Sequence, residues 1–300
     1  MIRVAVLLGG ISNEREISLK SGRKIIQNLD RSKYRVVAYD PKTALMRLAK
    51  DARAGRIDVV FNGLHGKGGE DGAIQGMLDL LGVPYTGSGV LASALALDKA
   101  KTKDIYREHG IPTPRSLLLT EFDPGLIKAK LGKRIVIKPN ADGSSVGVSV
   151  NPPQARWKKL IERCVKKHGS CLVEAFREGR ELTVGVLGDR AMPVVEIRPK
   201  NTFFDFEAKY TPGMSDELCP APIPAKITKQ AQALALKAHA ALGCAGYSRT
   251  DMLWTARGLE VLETNTLPGM TATSLLPLAA KTAGIPFGKL LDLIIREALD

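Results

Sequence analysis

The sequence has no uninterrupted apolar run of the roughly 18 residues that a membrane-spanning helix needs. Low-complexity segments and internal repeats are also absent. The first residues, MIRVAVLLGG, contain a short apolar core that ends in Gly-Gly, whereas a signal peptide ends at a small-residue cleavage site. We therefore expect this segment to be a first β-strand and the protein to be cytoplasmic, with no membrane partner.

Cysteine is scarce, and its spacing excludes the common zinc and redox motifs. None of the four cysteines forms a C-x-x-C pair. They are Cys164, Cys171, Cys219 and Cys244. Free, reduced thiols are the expectation for a cytoplasmic chain of this kind.

Aromatic residues make up only 5% of the chain, although the net charge of +13 invites a nucleic-acid hypothesis. The basic residues are scattered, and pairs such as Lys158-Lys159 and Lys166-Lys167 are most simply a solvated helix face. Few aromatic rings are available to stack on bases. We predict that the protein does not bind nucleic acid and that the positive field favours an anionic small-molecule substrate.

Two familiar nucleotide-binding fingerprints are missing. The chain has no G-x-x-x-x-G-K-[ST] motif, and LLGGIS does not match G-x-G-x-x-G. A P-loop is therefore excluded, and a dehydrogenase-type first domain has little support.

The chain of 300 residues is long enough for two or three domains. In residues 1–95, predicted strands alternate with helices, which indicates an α/β domain with a parallel sheet and flanking helices. Ligands of such sheets bind beyond the carboxyl ends of the strands. The segments in that position are GGISNERE and NGLHGKGGEDG, and we expect them to contribute to a site.

The pattern changes after residue 95 to helices mixed with hairpins, which is typical of an α+β fold. We predict two subdomains, residues 96–180 and 181–300, with a long Pro-rich segment at about 200–224. SALALDKAKTKDIYREHG is predicted as one helix, and CLVEAF and RELTVGVLG as strands on either side of the turn REG. KRIVIKPNADGSSVGVSV is predicted as strand, Gly-rich loop and strand.

A predicted hairpin near the carboxyl terminus places polar residues opposite one another. GYSRTDMLW and LEVLETN flank the residues ARG at 256–258, and a three-residue loop ending in Gly258 would pair Thr255 with Leu259. That register sets Asp251 opposite Glu263 and Arg249 opposite Asn265. Facing carboxylates repel, and a divalent cation between them would remove the repulsion.

The oxygen ligands Asp251, Glu263 and Asn265 suit Mg²⁺ or Mn²⁺ better than zinc. Such an ion usually completes its coordination with nucleotide phosphates and water. We expect the opposite face, with Met252, Val261 and Leu262, to be the apolar one. The alternative is a surface hairpin with a hydrated polar face.

Other candidate residues are ambiguous when taken alone. Lys138 ends an apolar strand shortly before GSSVG, a loop whose amides could turn toward phosphates. Lys99 lies in the basic segment DKAKTK and, taken alone, is most simply part of a solvated helix face. Glu174 and Glu181 flank the REG turn, where they could accept from a ribose or lie on the surface.

Five motifs together resemble the D-alanine–D-alanine ligase family of ATP-grasp enzymes. They are LLGGISNEREISLKSG, LHGKGGEDGAIQGMLDLLGVPYTGSGVLASALALDK, IKPNADGSSVGV, FEAKY and LETNTLPGMTATSLLP, and their order and spacing match the family from residue 4 to the end. The resemblance implies a two-subdomain ATP-grasp fold after the first domain, peptidoglycan synthesis as the role, and a homodimer.

For ATP, the resemblance implies a site between the two subdomains, with lysines on the phosphates and Glu174, Phe176, Arg177 and Glu181 at the adenine and ribose. The family usually carries a bulkier aromatic and an aliphatic residue where Phe176 and Arg177 stand. Two Mg²⁺ or Mn²⁺ ions would lie on Asp251, Glu263 and Asn265. The nucleotide-binding set is Lys99, Lys138, Ser144, Ser145, Glu174, Phe176, Arg177, Glu181 and Lys209.

For D-alanine, the resemblance implies an acyl phosphate made from the first substrate and attacked by the amine of the second. Arg249 and the amide of Gly269 would stabilise the oxyanion. The substrate-binding set is Glu14, His65, Lys209, Tyr210, Arg249, Ser274 and Leu275, and the catalytic set is Glu14, Ser144, Tyr210, Arg249, Gly269 and Ser274.

The Pro-rich segment would be a lid in such an enzyme, with Tyr210 hydrogen-bonded to Ser144 and Glu14. Relatives that make D-alanyl-D-lactate commonly carry Phe at this tyrosine, so Tyr210 favours an amino-acid second substrate. Two alternatives remain: another ATP-grasp ligase with a different second substrate, and a nucleotide-binding or nucleic-acid-binding protein that no longer catalyses. The second predicts lost metal or phosphate residues, and all of them are present.

Overall fold

The computed structural model describes residues 1–143, 147–199, 215–271 and 273–300. These residues form three β-sheets of three, four and six strands. Within the described ranges, none of the helices is both long and apolar enough to cross a membrane. The four cysteines are free thiols, as the sequence predicts.

The first sheet is parallel, with strand order β2-β1-β3, and confirms the predicted α/β domain. Its central and third strands are almost entirely apolar because helices cover both faces. Asp40 caps the second helix by accepting from the amide of Lys42, and Pro41 fixes its first turn. The elements are β1 (Ile2–Leu7), α1 (Arg15–Asn28), β2 (Tyr34–Tyr39), α2 (Pro41–Arg53), β3 (Val59–Asn62) and α3 (Ala73–Leu81).

The helix predicted from SALALDKAKTKDIYREHG is two helices, so the prediction of one was wrong. α4 (Val90–Leu97) ends at Asp98, and α5 (Lys99–Glu108) begins directly after it. Asp98 leaves the helical region of backbone space, and its carboxylate accepts from the amide of Lys101 at 3.0 Å. The break places Lys99 in the first turn of a new helix instead of midway along a solvated face.

The second sheet is antiparallel, with strand order β4-β7-β5-β6. The predicted strand, Gly-rich loop and strand correspond to β5 and β6, which pair directly. The elements are β4 (Ser116–Leu119), α6 (Pro124–Leu131), β5 (Ile135–Pro139), β6 (Ser149–Val150), a 3₁₀ turn (Gln154–Arg156), α7 (Trp157–His168) and β7 (Cys171–Ala175). Trp157 and Ile161 of α7 pack on Ile135 and Ile137, which makes the core of this subdomain.

The third sheet is antiparallel, with strand order β11-β10-β8-β12-β13 and β9 paired to β8. One face is covered by α8, whose alanines let the helix approach the strands closely. The elements are β8 (Gly179–Leu187), β9 (Arg190–Ala191), β10 (Val195–Pro199), β11 (Ser215–Leu218), α8 (Ala225–Ala241), β12 (Tyr247–Thr255) and β13 (Gly258–Asn265). The strands flanking REG do not pair with each other, because β7 belongs to the second sheet and β8 to the third.

The last two helices return to the first sheet. α9 (Leu275–Thr282) and α10 (Phe287–Glu297) share one hydrophobic core with strands of the first and third sheets. The hydroxyl of Tyr34 donates to Asp292 Oδ1 at 2.5 Å across this junction. The first domain is therefore held against the third sheet. The proposed boundaries at 95/96 and 180/181 stay predictions.

Candidate active site

The hairpin β12–β13 has the predicted pairing at its polar residues. Asp251 lies opposite Glu263, and Arg249 lies opposite Asn265. The neighbouring strand β8 places Thr183 next to Asp251 on the other side. The register argument from the sequence is confirmed at these positions.

The predicted loop was nevertheless wrong, and a β-bulge compensates for the error. Thr255 pairs with Gly258, so the loop has two residues, and the register shifts between Asp251 and Met252. Leu262 is the extra residue on β13. It lines a cavity beside Glu263, whereas Met252 and Val261 are fully buried in the core. The prediction that Leu262 lies on the apolar face was therefore wrong.

Protein cations already neutralise the facing carboxylates. Arg249 donates to both oxygens of Asp251, from Nε at 2.8 Å and Nη2 at 2.7 Å, and Thr183 donates to the same carboxylate at 2.6 Å. Lys99 Nζ lies 3.5 Å from Glu263 Oε2. The repulsion between Asp251 and Glu263 therefore does not by itself require a metal ion.

The donor set still fits a hard cation. Asp251, Glu263 and Asn265 offer only oxygens, as magnesium prefers. Asn265 Oδ1 accepts from the amide of Leu267 at 2.9 Å and keeps a second lone pair. Among the described residues, no group of three or more His, Cys, Asp or Glu side chains could hold a metal, so the site would need oxygens from a bound ligand.

A cavity of about 650 Å³ lies between the second and third sheets. Its walls are apolar near Val136, Val148 and Ile197, and charged at the end that contains Lys138 and Asp251. This cavity is lined by all the described residues that were predicted to bind the nucleotide, and by two of the three that were predicted to bind metal ions. These are Lys99, Lys138, Glu174, Phe176, Arg177, Glu181, Asp251 and Glu263.

A buried charge cluster forms the floor of this larger cavity. Glu174 is 3% exposed, and its two oxygens lie 2.8 Å from Lys103 Nζ and 3.0 Å from Lys138 Nζ. Lys103 Nζ also donates to Thr113 Oγ1 at 2.6 Å. Glu174 was predicted to contact adenine and ribose, but its carboxylate is occupied by two lysines. Sequence reasoning missed Lys103, although it lies four residues after Lys99 and hence on the same helix face.

The charges in this cluster stabilise one another. Burial alone would raise the pKa of Glu174, but the two ammonium groups outweigh burial and hold that pKa below its usual value. Burial lowers the pKa of Lys103, and the carboxylate opposes that shift. For Lys138 burial also acts to lower the pKa, but the carboxylate prevails and the pKa is raised.

The link between the two sheets lines the same cavity. The Phe176 ring lies under the guanidinium of Arg134, 4.2 Å from its centroid, and Arg177 Nε donates to Glu260 at 2.9 Å. Glu181 follows on β8, paired with Ile197 of β10. The segment that the sequence suggested as a simple turn is therefore a crossing between sheets that borders the cavity.

A smaller cavity of about 100 Å³ adjoins the larger one and shares Lys99, Gly143 and Glu263 with it. It is lined by loops that follow β1 and β3, at the carboxyl ends of parallel strands, and by the start of α9. The predicted substrate and catalytic residues found there are Glu14, His65, Arg249, Gly269, Ser274 and Leu275, and Asn265 lies with them.

The loops after β1 and β3 hold two of these side chains. His65 is buried, with Nε2 3.1 Å from Ser21 Oγ and Nδ1 3.3 Å from Glu70 Oε1. Glu14 lies against Gly66 and Gly143, where an added Cβ would come within 2.5 Å and 2.8 Å of its Oε2. Glu70 was missed from the sequence, although it belongs to the same HGKGGE segment as His65.

Three further predicted residues, Gly269, Ser274 and Leu275, lie at or just before the start of α9. Ser274 directly precedes the helix, and its Oγ accepts from the amide of Thr271 at 2.9 Å. An added Cβ on Gly269 would lie 2.8 Å from this oxygen, so a larger residue there would displace the Ser274 hydroxyl. Leu275 is the first helical residue, and its amide has no partner within the helix, which favours an anion.

Four predicted residues lie outside the described ranges. They are Ser144, Ser145, Lys209 and Tyr210. The predicted lid, about 200–224, is described only from Ser215, where β11 begins.

Comparison with known proteins finds matches over nearly the whole chain. The model for the D-ala D-ala ligase N-terminus matches residues 3–44 and 39–88, and that for the D-ala D-ala ligase C-terminus matches residues 113–296. The D-alanine–D-alanine ligase of Syntrophobacter fumaroxidans is 47% identical, with 100% of this chain and 98% of the relative covered. That of Zymomonas mobilis is 46% identical, with 99% and 94% covered.

Solved structures agree. The D-alanine–D-alanine ligase of Bacillus anthracis complexed with ATP superposes with a TM-score of 0.87 at 35% identity, covering 100% of this chain and 98% of that one. The VanG D-Ala:D-Ser ligase of Enterococcus faecalis gives 0.84 at 30% identity, covering 99% of both chains. The two family models and the full-length relatives show that this chain belongs to the D-alanine–D-alanine ligase family.

Proposed function

We propose that the protein ligates two D-alanines into D-alanyl-D-alanine with ATP as co-substrate, for the synthesis of peptidoglycan precursors. The observation that carries this function is the pair of adjoining cavities, one of nucleotide size and one of amino-acid size, that share Lys99, Gly143 and Glu263. Ligase names among the full-length relatives support the reaction. The ATP complex of the Bacillus anthracis relative supports the co-substrate.

In the larger cavity, Lys99 and Lys138 would contact the phosphates of ATP. Its apolar walls suit the adenine ring, with Phe176, Arg177 and Glu181 at the base and sugar. Glu174 would act chiefly through the lysines that it binds. Ser144, Ser145 and Lys209 complete the proposed set by motif.

Two Mg²⁺ or Mn²⁺ ions would be held by Asp251, Glu263 and Asn265, whose oxygens suit such ions. Bound there, they would neutralise charge on the transferred phosphoryl group. Arg249, which already binds Asp251, would lie beside the same charge.

The reaction would proceed in two steps. A carboxylate oxygen of the first D-alanine attacks the γ-phosphorus, the bond to the bridging oxygen of ADP breaks, and D-alanyl phosphate forms. The amine of the second D-alanine, after losing a proton, attacks the carbonyl carbon. The C–O bond to phosphate then breaks, and the dipeptide and phosphate are released.

Residues of the smaller cavity would bind and orient the two amino acids. Glu14 would accept from the first ammonium, with His65 near that substrate's carboxylate. Ser274 and the amide of Leu275 would hold the second carboxylate at the start of α9. Arg249 and the amide of Gly269 would stabilise the oxyanion formed during attack. Tyr210 would act from the lid, linked to Ser144.

We further propose a homodimer in the cytoplasm that acts on small molecules, without nucleic-acid or membrane partners. The second amino acid deserves a direct test, because one relative in the family is a D-Ala:D-Ser ligase. A coupled ADP-release assay over D-alanine, D-serine, D-lactate and L-amino acids, with mass spectrometry of products, provides it. We expect ADP release and dipeptide formation with D-alanine and with none of the other substrates tested. Turnover with another second substrate but no D-alanyl-D-alanine would refute the proposal.

A further inference from the structure

Lys103 is fully buried, which is unusual for a lysine, and it faces the floor of the larger cavity without lining it. It lies on α5, two residues from Lys101, which is exposed. Burying an ammonium group is costly unless the charge is paired. Its partners are Glu174 Oε1 at 2.8 Å and Thr113 Oγ1 at 2.6 Å.

The geometry gives Glu174 two positive partners and one negative charge. Lys138 on β5 and Glu174 on β7 lie on one face of the second sheet, and Lys103 approaches from α5 on the far side of the carboxylate. With both lysines protonated, the cluster carries one net positive charge. That surplus lies at Lys138, the member of the lysine pair that lines the cavity.

We propose that Lys103 is a positioning residue for nucleotide binding: it neutralises Glu174, so that the charge of Lys138 is available to the phosphates of ATP. The inference rests on the proposed function in placing ATP in the larger cavity. Charges interact strongly in a buried site of low dielectric constant. Without Lys103, Glu174 would have Lys138 as its only cation within the described part of the chain, and the phosphates would compete with that carboxylate for one ammonium group.

The proposal predicts a specific non-additivity. Lys103→Met should weaken nucleotide binding because Lys138 is then paired one-to-one with Glu174. Adding Glu174→Gln removes the competing carboxylate and returns the net charge of the cluster to that of the wild type. The double variant should therefore bind nucleotide more tightly than Lys103→Met alone. Because the two side chains are in contact, their effects on stability should be non-additive as well. The discriminating quantity is therefore the nucleotide Kd, measured on variants whose thermal unfolding shows that they are folded.

The test is isothermal titration calorimetry with the magnesium complex of a non-hydrolysable ATP analogue. We expect the Kd to rise roughly tenfold in Lys103→Met and to recover by at least about threefold in the double variant. Lys101→Met, on the exposed face of the same helix, is the matched control and should leave the Kd unchanged. A double variant that binds no better than Lys103→Met would overturn the proposal.

Two further measurements keep the test decisive. If Lys103→Met does not fold, as judged by circular dichroism, Thr113→Val removes the other partner of Lys103 at nearly constant volume. We expect its Kd to rise roughly threefold, and an unchanged Kd would overturn the proposal. Binding does not depend on turnover, so a wild-type protein that binds the analogue but forms no dipeptide would refute the proposed function without affecting this test.

Discussion

The two adjoining cavities are built in different ways. The larger one is walled mainly by strands of two sheets, and the cluster of Lys103, Lys138 and Glu174 at its floor is buried and paired. The smaller one is assembled largely from loops after β1 and β3 and from the start of α9, and Arg249, Glu263 and Asn265 of the hairpin line it as well. Strand register fixes charges in the first, whereas glycines that allow close approach shape the second.

This difference separates two tasks. Buried strand residues keep nucleotide-binding charges in place before any ligand arrives, which is the preorganisation that phosphoryl transfer needs. Loops brought together from distant parts of the chain shape a small, specific space for amino acids. Changes in one cavity should therefore affect ATP and D-alanine unequally, and only the shared residues should affect both.

The largest effect is expected at Glu263, which both cavities share, and at Asp251 opposite it. Glu263→Gln and Asp251→Asn should fold normally and lose turnover by roughly a thousandfold, because charge on the transferred phosphoryl group is no longer neutralised. The measurement is kcat at saturating substrates, with thermal unfolding as the check on folding. Glu162→Gln, an exposed acid on α7, is the control. Near-normal kcat in either variant would remove the metal assignment.

A smaller effect should be confined to the smaller cavity. Ser274→Ala removes the hydroxyl beside Gly269 and Thr271 and should raise the KM for the second D-alanine about tenfold. The KM for ATP should change little. Thr282→Ala, at the other end of the same helix, provides the control because its hydroxyl donates to the carbonyl of Leu278 and does not line the smaller cavity. An equal rise in both KM values would show that the two cavities are not separable in this way.

The loop after β1 should be sensitive to acid. Arg15 holds the pKa of Asp40 below its usual value, chiefly through the hydrogen bonds between the two side chains. A lowered folded-state pKa means stability that is present above the unfolded value and lost as the pH falls through the folded value. Asp40→Asn should cost about 1 kcal/mol at neutral pH, and its stability should fall less steeply below about pH 4.

Denaturant unfolding of the wild type and Asp40→Asn between neutral and acidic pH measures this difference. Asp123→Asn, which removes the charge of an exposed capping residue at α6 and keeps a capping oxygen, is the control, since no arginine partner of Asp123 is found among the described residues. Parallel stability curves for the wild type and Asp40→Asn across the acidic range would contradict the role of the Arg15–Asp40 pair.

The smallest effect concerns the bulge. Leu262 contributes an apolar surface to the larger cavity, so Leu262→Ala should raise the KM for ATP roughly threefold and leave the KM for D-alanine unchanged. Steady-state kinetics with each substrate varied in turn measures both values. A larger effect on D-alanine than on ATP would place the bulge at the other cavity.

The sequence predicts the polar face of the hairpin well, because alternation along a strand needs only local information. The predicted hairpin loop was one residue too long. The bulge at Leu262 shifts the register by one residue, so the predicted pairing is correct from Asp251 onward. Neither the bulge nor the tight loop follows from residue types, since both depend on how β13 packs. The alternation of predicted strands and helices was likewise enough to predict the parallel sheet and the segments that follow its strands.

The remaining misses depend on tertiary contacts. Lys103 and Lys101 are the same residue type on the same helix, so the sequence does not distinguish them. Only the packing of α5 on the second sheet buries Lys103 and leaves Lys101 exposed. Glu174 looked like a surface acid or a ribose contact because its two lysine partners are distant in sequence. The REG segment was predicted as a turn between two strands, and the sequence does not show that these strands belong to separate sheets.

The most direct test of the central claim, that the two cavities work as one ligase site through an acyl phosphate, uses D-alanine labelled with ¹⁸O in its carboxylate. Mass spectrometry of the released phosphate and of the peptide follows the label during turnover with ATP. The account predicts D-alanyl-D-alanine and one ¹⁸O atom in each phosphate, because the carboxylate oxygen that attacks phosphorus leaves with it. Unlabelled phosphate, or ADP release that does not depend on D-alanine, would contradict it.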